Sequence, residues 1–201
     1  MKGYYKNPEA TGKAIDQYGW FDTGDLGRIN PSTGDLILTG RAKDTIVLSN
    51  GENIEPQPIE DAVLGANDWV EQVMLCGQDG RRLVAITVLS PTELVNAGYL
   101  TKAQGDKLQA ANEKMNDPKC SEEECASSSE ILRAASEELR SNKNMQKALM
   151  ADIKVATKGF RAWEQVGAAH VTLEPFAMAN GQLTQSYNCL LYTSDAADDS
   201  G

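Results

Sequence analysis

Gly40-Arg41-Ala42-Lys43-Asp44-Thr45-Ile46-Val47-Leu48-Ser49-Asn50-Gly51-Glu52-Asn53-Ile54-Glu55-Pro56 is the stretch that decides how the chain is organised. Its β-branched run, Thr45 to Leu48, predicts a strand, and Ser49-Asn50-Gly51 predicts the turn that follows. Pro56 and Pro58 then open a helix to about Leu64, because proline is tolerated only where its missing N–H would have no helical partner. Strands at Val70–Cys76 and Leu83–Leu89, joined by Gln78-Asp79-Gly80, complete a small α/β unit.

Upstream, residues 1–42 are punctuated by Asn7-Pro8, Tyr18-Gly19, Thr23-Gly24-Asp25, Asn30-Pro31 and Thr33-Gly34-Asp35, and are expected to be β structure with tight turns. Within them stands Gly19-Trp20-Phe21-Asp22-Thr23-Gly24-Asp25-Leu26-Gly27. An aspartate fixed just after a tight turn can accept hydrogen bonds from both vicinal hydroxyls of a ribose. The same Thr-Gly-Asp is also a common turn, so Asp25 alone does not decide between the two. Downstream, from about 91 to 159, Ile131, Leu132, Ala135 and Leu139, then Met145, Leu149 and Ile153, recur at spacings of three and four, the pattern of helices with one apolar face. Asn116 to Ser129 reads as a polar acidic loop holding Cys120 and Cys125 as exposed thiols, with Ser129 or a neighbour capping the next helix. A strand at Ala168–Leu173 and a turn at Asn180-Gly181 follow, and no internal repeat is present.

Composition narrows the classes. The 201 residues carry 29 acidic and 19 basic side chains, a formal net charge of -10 that argues against a nucleic-acid backbone as main partner. No apolar run approaches the roughly 18 residues of a membrane-spanning helix. Cys76, Cys120, Cys125 and Cys189 are too few and scattered for a disulfide framework, and with His170 the only histidine no metal site of the usual zinc type is expected; the balance favours a reducing compartment. Glu55 and Glu60 flank a helix start as dipole partners, while Trp69, Trp163 and His170 read as structural. No signal peptide is visible after Met1, and both ends read as cut.

Together the segments Gly19–Gly27 and Gly40–Pro56, with Gly3-Tyr4-Tyr5-Lys6-Asn7-Pro8-Glu9-Ala10-Thr11, resemble the C-terminal signature motifs of the adenylate-forming superfamily. Within it, they are most similar to long-chain fatty acyl-CoA synthetases and acyl-acyl-carrier-protein synthetases. The resemblance implies an α/β (α+β) chain. Residues 1–42 would be the β-rich end of a large AMP-binding N-terminal domain. Residues 43–188 would be the small mobile C-terminal domain, carrying a helical insertion at about 91–159. It also implies roles: Asp25 on the ribose of ATP and acyl-AMP, Arg41 near ribose and phosphate, Lys43 at the hinge between domains, and Gly51 beside the channel of the incoming thiol. Taken singly, Arg41 and Lys43 would read as surface ion pairs and Gly51 as a plain hairpin turn.

The implied reaction joins a fatty acid to ATP, giving acyl-AMP and pyrophosphate, and then to a thiol. ATP with Mg²⁺ and CoA would be substrates of the full enzyme, with acyl carrier protein as the alternative acceptor and no bound prosthetic group. Peripheral membrane association of the full protein is left open. The family also has a segment Asn-Gly-x-Leu-Thr-x-Thr-x-Lys whose lysine stabilises charge on the carboxylate and α-phosphate during adenylation. Asn180, Gly181, Leu183, Thr184 and Ser186 follow that pattern and place the lysine at 188, where this chain has Asn188. Residues 189–201 depart from the family and resemble a translated sequencing adapter, which would also account for Asn188 through one altered base. The expectation is a fragment without ligase activity of its own. A third reading is a non-catalytic interaction module that kept the fold.

Overall fold

The computed structural model describes residues 1–117, 119–178 and 180–183. It opens with a helix, α1 (Pro8–Ala14), followed by an antiparallel ribbon of β1 (Asp25–Ile29) and β2 (Leu36–Arg41). The helix corrects the expectation of β structure throughout residues 1–42. Asn7 and Pro8 are an N-cap and first helical residue: the Asn7 side chain accepts from the Ala10 N–H at 2.9 Å, and the proline lacks only a donor that the helix does not use.

A one-turn 3₁₀ segment, Ala42–Asp44, leads into the short hairpin of β3 (Ile46–Val47) and β4 (Asn53–Ile54). Helix α2 (Pro56–Ala66) follows, two residues longer than the sequence suggests, and gives way at Asn67. Asn67 holds the junction from both sides: its Oδ1 accepts from the Trp69 N–H at 2.8 Å, and its Nδ2 donates to Asp152 at 2.8 Å.

The sheet is three-stranded, in the order β5 (Val70–Cys76), β6 (Leu83–Leu89), β7 (Val166–Thr172). Strands β5 and β6 are antiparallel, and β6 and β7 are parallel. A parallel pair cannot be closed by a tight turn and needs a long crossover. Helices α3 (Pro91–Asn96), α4 (Lys102–Asn116), α5 (Glu122–Ser141) and α6 (Lys143–Ala156) supply it. The helical block therefore lies inside the sheet's own connection. Central β6, Leu-Val-Ala-Ile-Thr-Val-Leu, is apolar on both faces because both are covered. Its one hydroxyl, on fully buried Thr87, donates to the His170 carbonyl at 3.2 Å.

The main core lies between one sheet face and the helices. Ile59 and Val63 of α2, Leu132 of α5, and Met145, Leu149 and Ile153 of α6 meet Leu75, Leu83 and Leu89 there. A smaller cluster of Met74, Val88 and Phe176, joined by Ile86 and Leu183, covers the other face. Each large side chain fully withdrawn from water contributes about 1.5–3 kcal/mol.

The helix starts carry the remaining corrections. The acidic loop expected from Asn116 to Ser129 is shorter: Asn116 closes α4, and from Glu122 on the stretch is the beginning of α5, capped by Ser121, whose side chain pairs with Glu124 in a capping box. Three glutamates in that first turn suit the positive end of the helix dipole, which a reading of the acidic run as solvated loop overlooked. Cys125 is accordingly buried on the helix and Cys120 is half-buried, so neither is the exposed thiol expected.

Of the described residues before Ile46, none is buried. Tyr18, Trp20, Ile29, Leu36 and Leu38 stand exposed on and beside the β1–β2 ribbon.

Candidate functional site

The ribbon brings two of the anticipated residues together. Asp25 opens β1 and Arg41 closes β2, and they are direct partners in the ladder. Two side-chain turns set the approach to Asp25. Asp22 Oδ1 accepts from the Gly24 N–H at 2.8 Å, and Thr23 Oγ1 accepts from the Asp25 N–H at 3.1 Å. Gly24 lies at φ +71, a conformation that favours glycine. Arg41 Nε stands 3.9 Å from Asp25 Oδ1, a loose pair whose side chains are 55% and 35% exposed. At that distance and exposure the pair adds little stability, and both groups stay within reach of a ligand.

Lys43 comes two residues after Arg41, in the 3₁₀ turn whose first residue, Ala42, donates its N–H to the Gly24 carbonyl at 2.9 Å. It borders an open cavity of about 590 Å³, with Asp44, Thr45, Cys76, Gln78 and Asp79 around it. The floor of this cavity is stitched together: Gln78 Oε1 accepts from the Val47 N–H at 3.0 Å, and the Val47 carbonyl accepts from the Asp79 N–H at 2.9 Å. Gly51 sits in the turn between β3 and β4, its N–H donating to the Leu48 carbonyl at 2.8 Å. It holds φ +84, and a Cβ placed there would meet no atom within 4 Å. Within the chain, backbone conformation and not crowding is what requires glycine at 51. A separate groove of about 490 Å³, floored by Leu100, Leu108, Ile131 and Leu139, lies in the helical block and touches none of these residues.

Sequence reasoning passed over Glu174. It is the one charged residue among those buried in the described part of the chain. Ser129 Oγ donates to Oε1 at 2.7 Å, Arg133 Nε to Oε2 at 2.8 Å, and Arg133 Nη2 to Oε1 at 3.3 Å. Burial pushes this carboxyl up, but the hydrogen bonds from Arg133, Ser129 and Asn180 and the Arg133 charge outweigh it and hold it below the usual carboxylate range. The segment it begins is tied down further along. Gln72 of β5 accepts from the Phe176 N–H at 2.7 Å and donates to the Phe176 carbonyl at 3.4 Å. Asn180 accepts from the N–H groups of Ala177 and Gln182 and donates to the Pro175 carbonyl at 2.9 Å. A glutamate just before a proline at a strand end gave no sign of this, since its partners lie 41 and 45 residues away.

The other singled-out residues resolve as follows. Glu60 does not merely face a helix dipole: its Oε1 accepts from the Leu75 N–H at 2.7 Å and pins α2 to β5. Trp69 meets Tyr99 edge to face at 5.2 Å. Trp163 faces the Arg161 guanidinium at 5.7 Å. His170 lies in β7, with burial and the Arg140 charge lowering its pKa. Asn188 and the 189–201 tail lie outside the described residues.

Residues 43–148, more than half of the chain, match the family described as the AMP-binding enzyme C-terminal domain, and the chain belongs to that family. Over 102 residues it is 48% identical to the chloroplastic long-chain-fatty-acid acyl-carrier-protein ligase of Arabidopsis thaliana, covering 46% of this chain and 14% of that protein. Over 187 residues it is 31% identical to long-chain-fatty-acid CoA ligase 5 of Rattus norvegicus, covering 92% of this chain and 23% of the relative. Among solved structures, the adenylation domain of a carboxylate reductase from Mycobacterium chelonae superimposes with a TM-score of 0.63 at 21% identity, over 94% of this chain and 23% of that one. That likeness establishes the adenylate-forming fold. The chain spans 13–23% of the length of the curated relatives it matches first.

Proposed function

We propose that this chain is the C-terminal part of an ATP-dependent long-chain fatty acid ligase that forms acyl-AMP and passes the acyl group to the thiol of CoA. The observation that carries this reading is the pairing of Asp25 with Arg41 across one ladder, immediately ahead of the Lys43 turn. In that arrangement Asp25 accepts from the ribose hydroxyls of ATP and of acyl-AMP, and Arg41 meets the phosphate side with a cation that cannot lose its proton. Lys43 is the hinge, placed where a 3₁₀ turn separates the ribbon from the rest of the chain. Gly51 presents backbone without a side chain to the entering thiol. The adenylating lysine belongs at position 188, so the chain as it stands, with Asn188, makes no acyl-AMP. The exposed apolar ribbon supports a preceding domain that covers it.

Among the described residues no three His, Cys, Asp or Glu side chains are grouped to hold a metal ion, and Mg²⁺ enters this reading as part of the ATP substrate. A carrier-protein thiol is the competing acceptor, favoured by the 48% identity to an acyl-carrier-protein ligase.

The test is fatty-acid-dependent exchange of pyrophosphate into ATP by the complete gene product. Exchange that rises with long-chain acids and falls about a hundredfold in Asp25→Ala supports the reading. No exchange, or exchange indifferent to Asp25, refutes it. Offering CoA and carrier protein to the preformed acyl-AMP decides the acceptor.

A further inference from the structure

The helical block and the segment that leads to position 188 meet at a single buried charge. Glu174 starts that segment, and its carboxylate is held from α5 by Ser129 and Arg133. Covering the sheet does not require this: Phe176 and Leu183 already do so through apolar contact. A buried carboxylate costs several kcal/mol unless paired, so a leucine at 174 would cover the same surface more cheaply. What an ion pair with directed hydrogen bonds supplies, and a leucine does not, is a fixed register between two elements. The Gln72 bonds to Phe176 and the Asn180 bonds to Ala177 and Gln182 then carry that register along the segment. Position 188 is five residues beyond Leu183.

We propose that Glu174, Arg133 and Ser129 moor the segment at 174–183 to the helical block, and that Arg133 and Ser129 are thereby positioning residues for the adenylating half-reaction. The second clause rests on the proposed function; the mooring does not. The block expected to be an insertion is on this account part of the machinery that aims the family lysine.

Hydrogen exchange on the 201-residue chain tests the mooring. The amides of Ala177, Gly181, Gln182 and Leu183 all donate within the segment. In Arg133→Ala their protection falls about tenfold or more, the loss expected for hydrogen bonds to a charged group, while β5 and β6 amides change by less than about twofold. Arg133→Lys restores part of it, and Ser129→Ala gives a smaller loss should Arg133→Ala fold poorly. Protection of the same amides in the unsubstituted chain drops as pH falls below the ordinary carboxylate value of 4.5, and Glu174→Gln removes that step. The charged groups sharing the cavity wall with Glu174 are Arg133, Glu137 and Arg140 of α5 and His170 of β7, so Glu137→Gln is the control that must leave the step in place. Unchanged protection, or loss spread evenly over β5 and β6, overturns the mooring.

In the complete ligase, Arg133→Ala slows pyrophosphate exchange about tenfold and leaves thiol transfer from preformed acyl-AMP within about twofold. Equal losses in both half-reactions overturn the positioning role. An unsubstituted ligase without exchange activity refutes the proposed function and the positioning role with it, while the exchange-protection result on the chain still decides the mooring.

Discussion

Arg133 Nε lies 2.8 Å from Glu174 Oε2, joining an arginine side chain 65% exposed to a glutamate side chain 7% exposed. The asymmetry matters, because the arginine keeps most of its hydration while the carboxylate has exchanged water for protein donors. Within this pair the acid response comes from the carboxylate, since the guanidinium keeps its proton throughout. Its folded pKa is depressed, so its contribution is fully present above the ordinary value of 4.5 and is lost as pH falls through the lower folded value. Urea midpoints of the chain decline in that acid window, and Glu174→Gln, already less stable at neutral pH, declines less steeply.

Gly51→Ala lowers stability by about 1 kcal/mol through backbone conformation, since φ +84 is disfavoured for alanine and nothing crowds the new methyl. Gly51→Asn costs less, because asparagine visits that region more readily. Thermal denaturation of the three chains gives the order Gly, Asn, Ala; alanine as stable as glycine would contradict the conformational account.

Leu149 is fully buried in α6 against the main core. Leu149→Ala is expected to cost about 2–5 kcal/mol, the lost transfer energy plus a cavity that packed helices only partly close. Urea unfolding measures it, and a cost below about 1 kcal/mol would show that the site collapses.

Cys120 titrates high. A hydrogen bond with Cys125 contributes most, followed by burial and the charges of Cys125, Glu124 and Asp117, and the thiol is pushed up from 9.0 to about 11. At pH 8 its thiolate fraction is about a hundredfold below that of an ordinary thiol, so iodoacetamide labels it correspondingly slowly. Peptide mass spectrometry after timed labelling reads this out. Cys125→Ala removes the partner and accelerates labelling at Cys120.

The local elements were legible where one residue type decides them. Val70–Cys76 and Leu83–Leu89 carry their strand signal in β-branched and aliphatic side chains, and the structure keeps the same limits. Asn7-Pro8 and Ser121 to Glu124 were misjudged for one reason. Turn formers and acidic residues are also what a helix start selects, and composition cannot tell a cap from a loop without the three-residue spacing to Ala10 or Glu124. Of the candidate site, Asp25, Arg41 and Lys43 could be named because the motifs that carry their proposed roles are a few residues long. Glu174 could not be found that way, since its meaning depends on Ser129 and Arg133, which stand on α5 within the four-helix crossover.

That crossover sets the order of events during synthesis. Strand β7 pairs with β6 only after residues 91–165 have been made, so for that interval β6 has one hydrogen-bonding edge open to the solvent. Its sequence, Leu83 to Leu89, is apolar and uncharged, the kind of edge that recruits other chains. A chain cut before Val166 therefore lacks the strand that covers this edge.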